Sequence, residues 1–444
     1  VIKVLILTYY WPPGGGAGVQ RWLKFAKYMR EFGYEPVVYT ALNGEMPVVD
    51  HSLEKDIPPG LTVLRQPIWE PYSVYKRFIG RKKEDKINAS FLNEGRKSGG
   101  LTEKISVWIR GNFFIPDARR FWIKPSISFL NNYIKKENIG LVISTGPPHS
   151  MHLIARGLKK LQPQVRWLAD FRDPWTNIDF YEKLMLTRAA DALHHRLELA
   201  VLKEADSVIS IGESMNEEFK EMYRKAGGND PQKFSVITNG YDEEDIMAKG
   251  PALDQKFSLA HIGTLVRDRN PAILWKALSE IIADDPEFAR DLEIKLVGKV
   301  DLFVMDQIEI NGLSAFVRRI NYLPHDEVIL EQKASKVLLL LVNNTKNAKG
   351  ILTGKFFEYL AAARPVLAIG PVNGDLATIL NETRCGFISS FDDLAGLKSN
   401  ILQLYRGEGV QADNSAIKAY SRRTLTKKLC NVLESLGRTS TDSK

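Results

Sequence analysis

The sequence predicts an α/β protein made of two successive doubly wound domains. Three observations carry this. Short aliphatic runs alternate with amphipathic helical segments along the chain. The alternation opens at Ile2, stops in a polar stretch around Gly250-Pro251, and restarts at Phe257. The loops that follow the apolar runs hold most of the glycines and clustered charges, which is where such sheets place their ligands. A chain of 444 residues suits about two to three domains. The expected division is an N-terminal Rossmann-like domain over 1–248, a second over 249–415, and a C-terminal helix with a disordered tail over 416–444. An aromatic and basic insertion occupies about 68–138 of the first domain.

The opening run, Ile2 to Leu7, reads as a strand. Trp11-Pro12-Pro13 breaks it, and a loop holding Gly14, Gly15, Gly16 and Gly18 follows. Apolar residues at Val19, Trp22, Leu23, Phe25, Ala26 and Met29 recur at helical spacing up to Phe32. Gly33 ends that helix, and Pro36 to Tyr39 is the next strand. The glycines do not follow the dinucleotide pattern, and no acidic residue closes the second strand, so a nicotinamide enzyme is disfavoured. Leu141 to Ser144 is a strand that runs into Thr145-Gly146-Pro147-Pro148-His149-Ser150 and a helix to Leu161. Val165 to Ala169 is another, ending in Asp170-Phe171-Arg172-Asp173. Three charges at a strand's carboxyl end are costly unless they are paired or used. They either form an internal pair with Arg172 or belong to a site. A helix over Tyr181–Glu204, a strand over Ser207–Ile211, a helix over Glu213–Tyr223 and a strand over Phe234–Ile237 complete the first domain. His152, His194 and His195 are expected on helix surfaces.

The second domain reads as strands at Phe257–Ile262, Leu292–Val297, Val317–Ile320, Val337–Leu341 and Val366–Ile369, with helices between them. Gly263-Thr264 is a turn, followed by the charged loop Arg267-Asp268-Arg269-Asn270 and a helix over Pro271–Ile282. The most informative stretch is Gly350 to Pro371. Thr353-Gly354-Lys355 makes a turn that opens a short helix, Phe356 to Ala363, with Glu358 as a lone carboxylate about one turn in. A helix N-terminus after such a turn offers unpartnered N–H groups and positive potential to an anion. Glu358 could hydrogen-bond a vicinal diol such as a ribose. In a purely structural reading it offsets the helix dipole, and Lys355 is a surface charge.

Composition narrows the function. The charge is +8 and the isoelectric point about 9.1, which suits a nucleotide, nucleic acid or acidic lipid partner. The basic residues form no single stripe within a known module, so nucleic acid is not expected. The two cysteines, Cys385 and Cys430, have no motif spacing and suit a reducing compartment. The longest apolar run after the first strand, Val337 to Val342, is far short of the roughly 20 residues of a membrane span. The segment 72–130 interleaves aromatics with Lys and Arg, as in YSVYKRFIGRKK and FIPDARRFW. That pattern fits an anionic membrane surface, or an insertion whose aromatics pack on the domain while Arg119 and Arg120 are solvated or paired.

Taken in order, YYWPPGGGAGVQR, STGPPHS, ADFRDPW, VITNGYD, HIGTLVRDRNP and GKFFEYLAAARPVLAIGP resemble the GT-B glycosyltransferases, above all retaining family four. The resemblance implies two Rossmann-like domains facing a cleft. It implies transfer of a sugar from a nucleoside-diphosphate sugar to an acceptor hydroxyl; no Asp-x-Asp pair stands in a strand-end loop, so transfer without a metal or other cofactor is expected. The donor site would comprise Gly15, Gly16, Thr264, Arg267, Arg269, Thr353, Gly354, Lys355 and Glu358. Glu358 would hold the ribose and Lys355 the diphosphate. His149 and Asp173 would orient or deprotonate the acceptor, with Arg172 and Asp170 beside them. The sequence departs from the family in two places. Gly350 stands eight positions before Glu358, where a first glutamate is usual, and Thr264 stands where an arginine is usual. The acceptor is expected to be a cell-surface polysaccharide precursor or lipid-linked glycan. The protein would then lie in the cytoplasm or on the inner face of the plasma membrane. Two rivals are a sugar-nucleotide epimerase on the same fold and a non-catalytic sugar-nucleotide or polyanion binding module.

Overall fold

The first strand, β1 (Ile2–Leu7), lies at the middle of a seven-stranded sheet in a computed structural model that describes residues 1–46, 48–70, 101–244 and 250–438. The described chain divides into two compact units. One is Val1–Thr238 with the C-terminal stretch from Leu425, and the other is Asn239–Thr424. Among the described residues no helix is long and apolar enough to cross a membrane.

The first unit contains β2 (Tyr34–Ala41), β3 (Thr62–Gln66), β4 (Leu141–Gly146), β5 (Arg166–Phe171), β6 (Ser207–Ser210) and β7 (Phe234–Val236). The sheet runs β3-β2-β1-β4-β5-β6-β7, and every pairing is parallel. Strand order reverses between β1 and β4. The loops after those two strands therefore flank the switch point, the standard ligand position of such sheets. β1 is buried on both faces. Leu5 and Leu7 join one cluster with Met151, Ile154 and Trp167, while Val4 and Ile6 join another with Trp22, Phe25 and Met29. Burying one Val or Leu side chain contributes about 1.5–3 kcal/mol.

The sequence pattern missed β3, whose alternation is short and whose residues are partly exposed at the sheet edge. The helix expected over 181–204 is two elements. Tyr181–Leu184 is a 3-10 turn, Met185 adopts φ 54°, and the α-helix spans Arg188–Glu204 with Thr187 capping it. The helix Arg422–Arg438 is not a separate appendage. Its Leu425, Leu429, Cys430 and Leu433 complete the core face formed by Val4, Ile6 and Trp22.

The second unit contains β8 (Phe257–Ile262), β9 (Leu292–Val297), β10 (Val317–Ile320), β11 (Val337–Leu341), β12 (Val366–Ile369) and β13 (Gly386–Ser389). Their order is β10-β9-β8-β11-β12-β13, again parallel throughout, with the reversal between β8 and β11. In β11, Val337, Leu339 and Leu341 enter the core on one face, and Leu338 and Leu340 enter the core on the other. That period of two explains why the strand is one uninterrupted apolar run. β13 was not anticipated, because Gly386 and its partly buried neighbours carry little apolar signal. The polar stretch Asp242 to Lys256 is expected to be the hinge between the domains; its residues 245–249 lie outside the described residues, and Asp254 is fixed to the second unit through Lys295 and the Ala334 carbonyl.

Candidate functional site

In the second unit the expected donor residues, Arg267 excepted, gather where strand order reverses. The helix Gly354–Ala361 follows β11, and Thr353 is its N-cap residue, yet the Thr353 side chain caps nothing. Its buried hydroxyl has no hydrogen-bond partner, and the first turn holds no acidic residue. The N-terminus thus keeps free donors and positive potential. Lys355 folds back from the first turn onto β8. A methyl group placed on Gly263 would lie 2.7 Å from the Lys355 Nζ. Gly263 also adopts φ 117°, which other residues resist, so glycine is required both for the turn and for the approach of the ammonium. Burial and the neighbouring Arg269 charge push the Lys355 ammonium down to about 8, with Glu358 opposing them.

Arg269 is held by the Asn343 side chain, whose Oδ1 accepts from Arg269 Nε at 2.7 Å. Asn343 stands just past the end of β11, so one arginine from the β8 loop is fixed to the neighbouring strand. Arg267 points elsewhere. It is exposed, and its guanidinium lies 4.2 Å from the centre of the Phe303 ring. Thr264 is partly exposed, next to Gly263. Glu358 is partly buried one turn into the helix, and Gln332 Nε2 donates to its Oε2 at 3.3 Å. It lines a shallow recess with Ile329, Gln332, Lys333, Ala361 and Ala362. Sequence reasoning did not single out His261 or Asn343. His261 sits at the carboxyl end of β8, is 1% exposed, and has no hydrogen-bond partner on either ring nitrogen. A histidine next to the end of a mostly apolar strand, two positions before a glycine turn, was the available signal.

The first unit places the other predicted residues less uniformly. Asp170 is fully buried and fully engaged. It accepts from Arg21 Nη2 at 2.8 Å, Trp22 Nε1 at 2.7 Å and Thr145 Oγ1 at 2.8 Å. Arg21 is equally buried and also donates to the carbonyls of Ile237 and Thr238. Asp170 was expected beside an acceptor; it is instead the centre of a buried ion pair that ties β5 to the first helix and to the end of β7. Its pair is Arg21 rather than Arg172. Although burial acts to raise the Asp170 carboxyl, Arg21 and the converging donors hold it below the usual range. The Gly15 amide is likewise taken, donating to the Val48 carbonyl at 2.9 Å rather than standing free for a phosphate. Gly16 is the N-cap of the helix Ala17–Met29.

Arg172 donates to Thr145 Oγ1 at 3.1 Å and to the Pro147 carbonyl, and its guanidinium fills the space beside Gly18. The Arg172 contacts stiffen the loop after β4, where His149 lies. The His149 ring stacks on Trp175 at 4.4 Å and 4°, and its Nδ1 is buried without a partner. Burial, together with His152, His194 and Arg172, holds His149 neutral, well below the ordinary histidine range. Trp175 is itself fixed. Its Nε1 donates to His194 Nδ1 at 3.0 Å, and its amide donates to the buried Glu198. Burial raises Glu198 to about 7, against three hydrogen bonds from Trp175 and Thr176 that favour its charged form. Asp173, by contrast, is partly exposed and accepts no hydrogen bond among the described residues. Burial raises its carboxyl above the usual range, despite Arg172. Of Asp170, Arg172 and Asp173, Asp173 alone makes no hydrogen bond among the described residues.

The expectation that His152 and His194 lie on helix surfaces is wrong; only His195 does. His152 is fully buried, with Nδ1 2.8 Å from Ser144 Oγ and its ring stacked on Phe171. Both histidines occupy the inward stripe of their helices, where a mixed apolar and polar pattern hid the burial. Gly146 is needed beneath them, since a methyl group there would come within 2.5 Å of His152 Nε2 and 2.9 Å of His149 Nδ1.

Much of the basic aromatic segment, 71–100, lies outside the described residues. The remainder shows both packing and exposure. Arg119 is paired with Glu70 at 3.0 Å and stacks over Tyr9, so it is structural. Trp69 and Phe121, 56% and 46% exposed, meet edge to face at 4.9 Å, and the Arg120 guanidinium lies beside Phe121. Phe113 is also exposed, next to Trp108.

No protein-family model and no curated protein matches the sequence. Solved structures do resemble it in fold. HepE of Anabaena, determined with UDP and glucose, superposes with TM-score 0.58 at 14% identity, over 98% of this chain and 100% of that one. The lipopolysaccharide outer core galactosyltransferase WaaB gives 0.57 at 13%, over 98% and 99%. A Listeria monocytogenes protein assigned as a UDP-N-acetylglucosamine 2-epimerase gives 0.52 at 11%, over 99% and 97%.

Proposed function

We propose that this chain, which has the GT-B glycosyltransferase fold, transfers a sugar from a nucleoside-diphosphate sugar to an acceptor hydroxyl. The observation that carries this reading is the convergence at the β8–β11 switch point. Lys355, Arg269 and a helix N-terminus without a side-chain cap, with the orphan Thr353 hydroxyl, meet there, and Glu358 lies one turn further on. This is a receptor for a diphosphate with a diol beside it. As the sugar–phosphate bond breaks, negative charge grows on the leaving diphosphate. Preorganised N–H groups and fixed cations stabilise that charge as it develops. These groups supply the positive charge the step requires, so the proposed transfer does not rely on a metal. With retention, the departing phosphate oxygen takes the acceptor proton, and Asp173 and His149 orient the acceptor hydroxyl. With inversion, Asp173 is the better general base. Its carboxyl is raised and unpartnered, whereas burial suppresses protonation of His149. Retention follows from the resemblance to family four.

Glu358→Ala tests the donor assignment. It is expected to weaken nucleoside diphosphate binding by about 1.5–3 kcal/mol, the worth of a lost charge-assisted hydrogen bond. Unchanged affinity in calorimetry would remove Glu358 from the ribose site. The Listeria neighbour keeps the epimerase reading in play, because an epimerase shares the nucleotide site. The acceptor-side carboxylate Asp173 favours transfer, and product analysis with labelled donor separates the two: epimerisation changes the sugar without moving it.

The acceptor is proposed to be a glycan precursor held at an anionic membrane surface on the cytoplasmic side. The support is the exposed Trp69–Phe121 pair with Arg120 beside it, and two buried, unpaired cysteines that suit a reducing compartment. Vesicles with anionic lipid are expected to carry the protein upward in a flotation gradient at low salt. Recovery should fall when Trp69 and Phe121 are both replaced by serine. Protein that stays at the bottom at low salt contradicts the membrane reading.

A further inference from the structure

The phosphate site contains a group for which the proposed function has no assignment. His261 is the penultimate residue of β8, two positions before Gly263, the residue against which Lys355 packs. Its side chain is buried, and neither ring nitrogen makes a well-aligned hydrogen bond; the backbone of Leu339 and Thr264 lies nearest and favours the protonated ring. A buried imidazole usually has at least one nitrogen satisfied, because leaving a polar atom unpaired costs about 1–3 kcal/mol. Two ring nitrogens without a well-aligned hydrogen bond, under the electrostatic influence of two cations at an anion site, need an explanation that packing does not give.

Electrostatics supplies one. The charged groups that bear on His261 are Lys355, from the helix Gly354–Ala361, and Arg269, from the loop after β8. Burial disfavours an imidazolium most, and both cations add to it, against the backbone of Leu339 and Thr264. Glu358 acts on Lys355, and the Tyr359 hydroxyl lies 3.4 Å from the Ile262 amide next to the ring. In the empty site the ring is therefore neutral. A bound diphosphate places about two negative charges on Lys355 and Arg269 and so cancels the repulsion that kept the proton off.

We propose that His261 is the proton-accepting group of the phosphate site, taking up a proton from solvent when a diphosphate occupies Lys355 and Arg269 and giving it back when the diphosphate leaves. The inference rests on the donor-site reading above. It makes His261 a positioning residue. As an imidazolium it donates from a ring nitrogen that is unpaired in the empty site, and it adds positive charge beneath the leaving group. Donor binding and product release then become proton-linked.

Calorimetry of the full chain tests this with nucleotide sugars as probes, UDP-glucose, GDP-mannose and ADP-glucose. Their doubly esterified diphosphates do not titrate near neutrality. Binding enthalpy is measured at pH 7.0 in two buffers of different ionisation enthalpy, which gives the protons taken up per ligand bound. Lys355, whose ammonium burial pushes down to about 8, contributes a share of its own, which the same measurement on Lys355→Met determines. The proposal expects an uptake of about 0.3 proton or more in the wild type. It expects that uptake to fall to the lysine's share in His261→Phe, which keeps the ring volume buried, and in His261→Gln. Melting temperatures of both variants show that they are folded. Binding with no uptake beyond the lysine's share overturns the inference while leaving the donor site standing. Uptake that persists undiminished in both variants overturns it as well. Absence of binding by all three probes overturns the donor-site reading, and this inference with it.

Discussion

Lys355→Ala is expected to lower transfer, or hydrolysis of the donor in the absence of an acceptor, by about 10²–10³-fold. That is the range for removing one preorganised donor aimed at developing charge. The fold should not suffer. The Lys355 ammonium lies beside Arg269 and has no hydrogen-bond partner among the described residues, and its charged form is disfavoured in the folded protein. The sign follows from proton counting. Between about 8 and the ordinary lysine value of 10.5, the unfolded chain binds more protons at this site than the folded one. The cost of burying the charge is therefore fully present below pH 8 and is relieved as pH rises through that window. Lys355→Met removes it, so its melting temperature at pH 7 should equal or exceed the wild type's. The same group sets a pH limit on donor binding. A bound diphosphate favours the ammonium, so affinity should be insensitive to this lysine below pH 8 and should fall as pH rises above it. Normal turnover with a large drop in melting temperature would make Lys355 structural.

Asp170→Ala should do the reverse, destabilising strongly whether or not a substrate is present. It leaves the Arg21 guanidinium buried and uncompensated at the centre of the first unit. Breaking such a pair from one side costs about 3–5 kcal/mol. In a domain of this size that is roughly 6–20 °C in melting temperature. The pH dependence differs in sign from the lysine's. Asp170 is held below the usual carboxylate range, so its contribution is fully present above the ordinary aspartate value and is lost as pH falls through its folded value. Asp173→Asn, three residues on, provides the contrast. That carboxyl is raised by burial and accepts no hydrogen bond among the described residues, so its neutralisation should leave the melting temperature near the wild type's while impairing transfer. A variant pair in which Asp170→Ala is stable and catalytically dead would return Asp170 to the active site.

The comparison between these two aspartates shows what the sequence reveals and what it hides. Strands β1, β8 and β11 are readable because each is an apolar run of strand length bounded by glycine or polar turns. The donor helix is readable because Thr353-Gly354-Lys355 interrupts the apolar pattern just before Phe356-Phe357. Which of two nearby carboxylates is structural is not written locally. It depends on Arg21, 149 positions away, reaching Asp170 across the sheet. For the same reason His152 and His194 looked like surface residues. Their partners, Ser144 and Trp175, are brought to them by tertiary packing. The edge strands β3 and β13 were lost because a half-exposed edge needs few apolar residues. His261 escaped notice because a histidine in a strand has no meaning until the cations above it are known.

The central claim is a nucleoside diphosphate site at the β8–β11 switch point. A thermal-shift panel of UDP, GDP, ADP, TDP and CMP, with and without magnesium, tests it most directly. Any ligand that binds the folded state alone raises the melting point by mass action, about 2.7 kcal/mol of stabilisation at a hundredfold excess over Kd. The account predicts that one nucleoside diphosphate raises it without magnesium, and that the rise shrinks in Glu358→Ala and Lys355→Ala. A flat panel, or a rise that both variants keep in full, contradicts it.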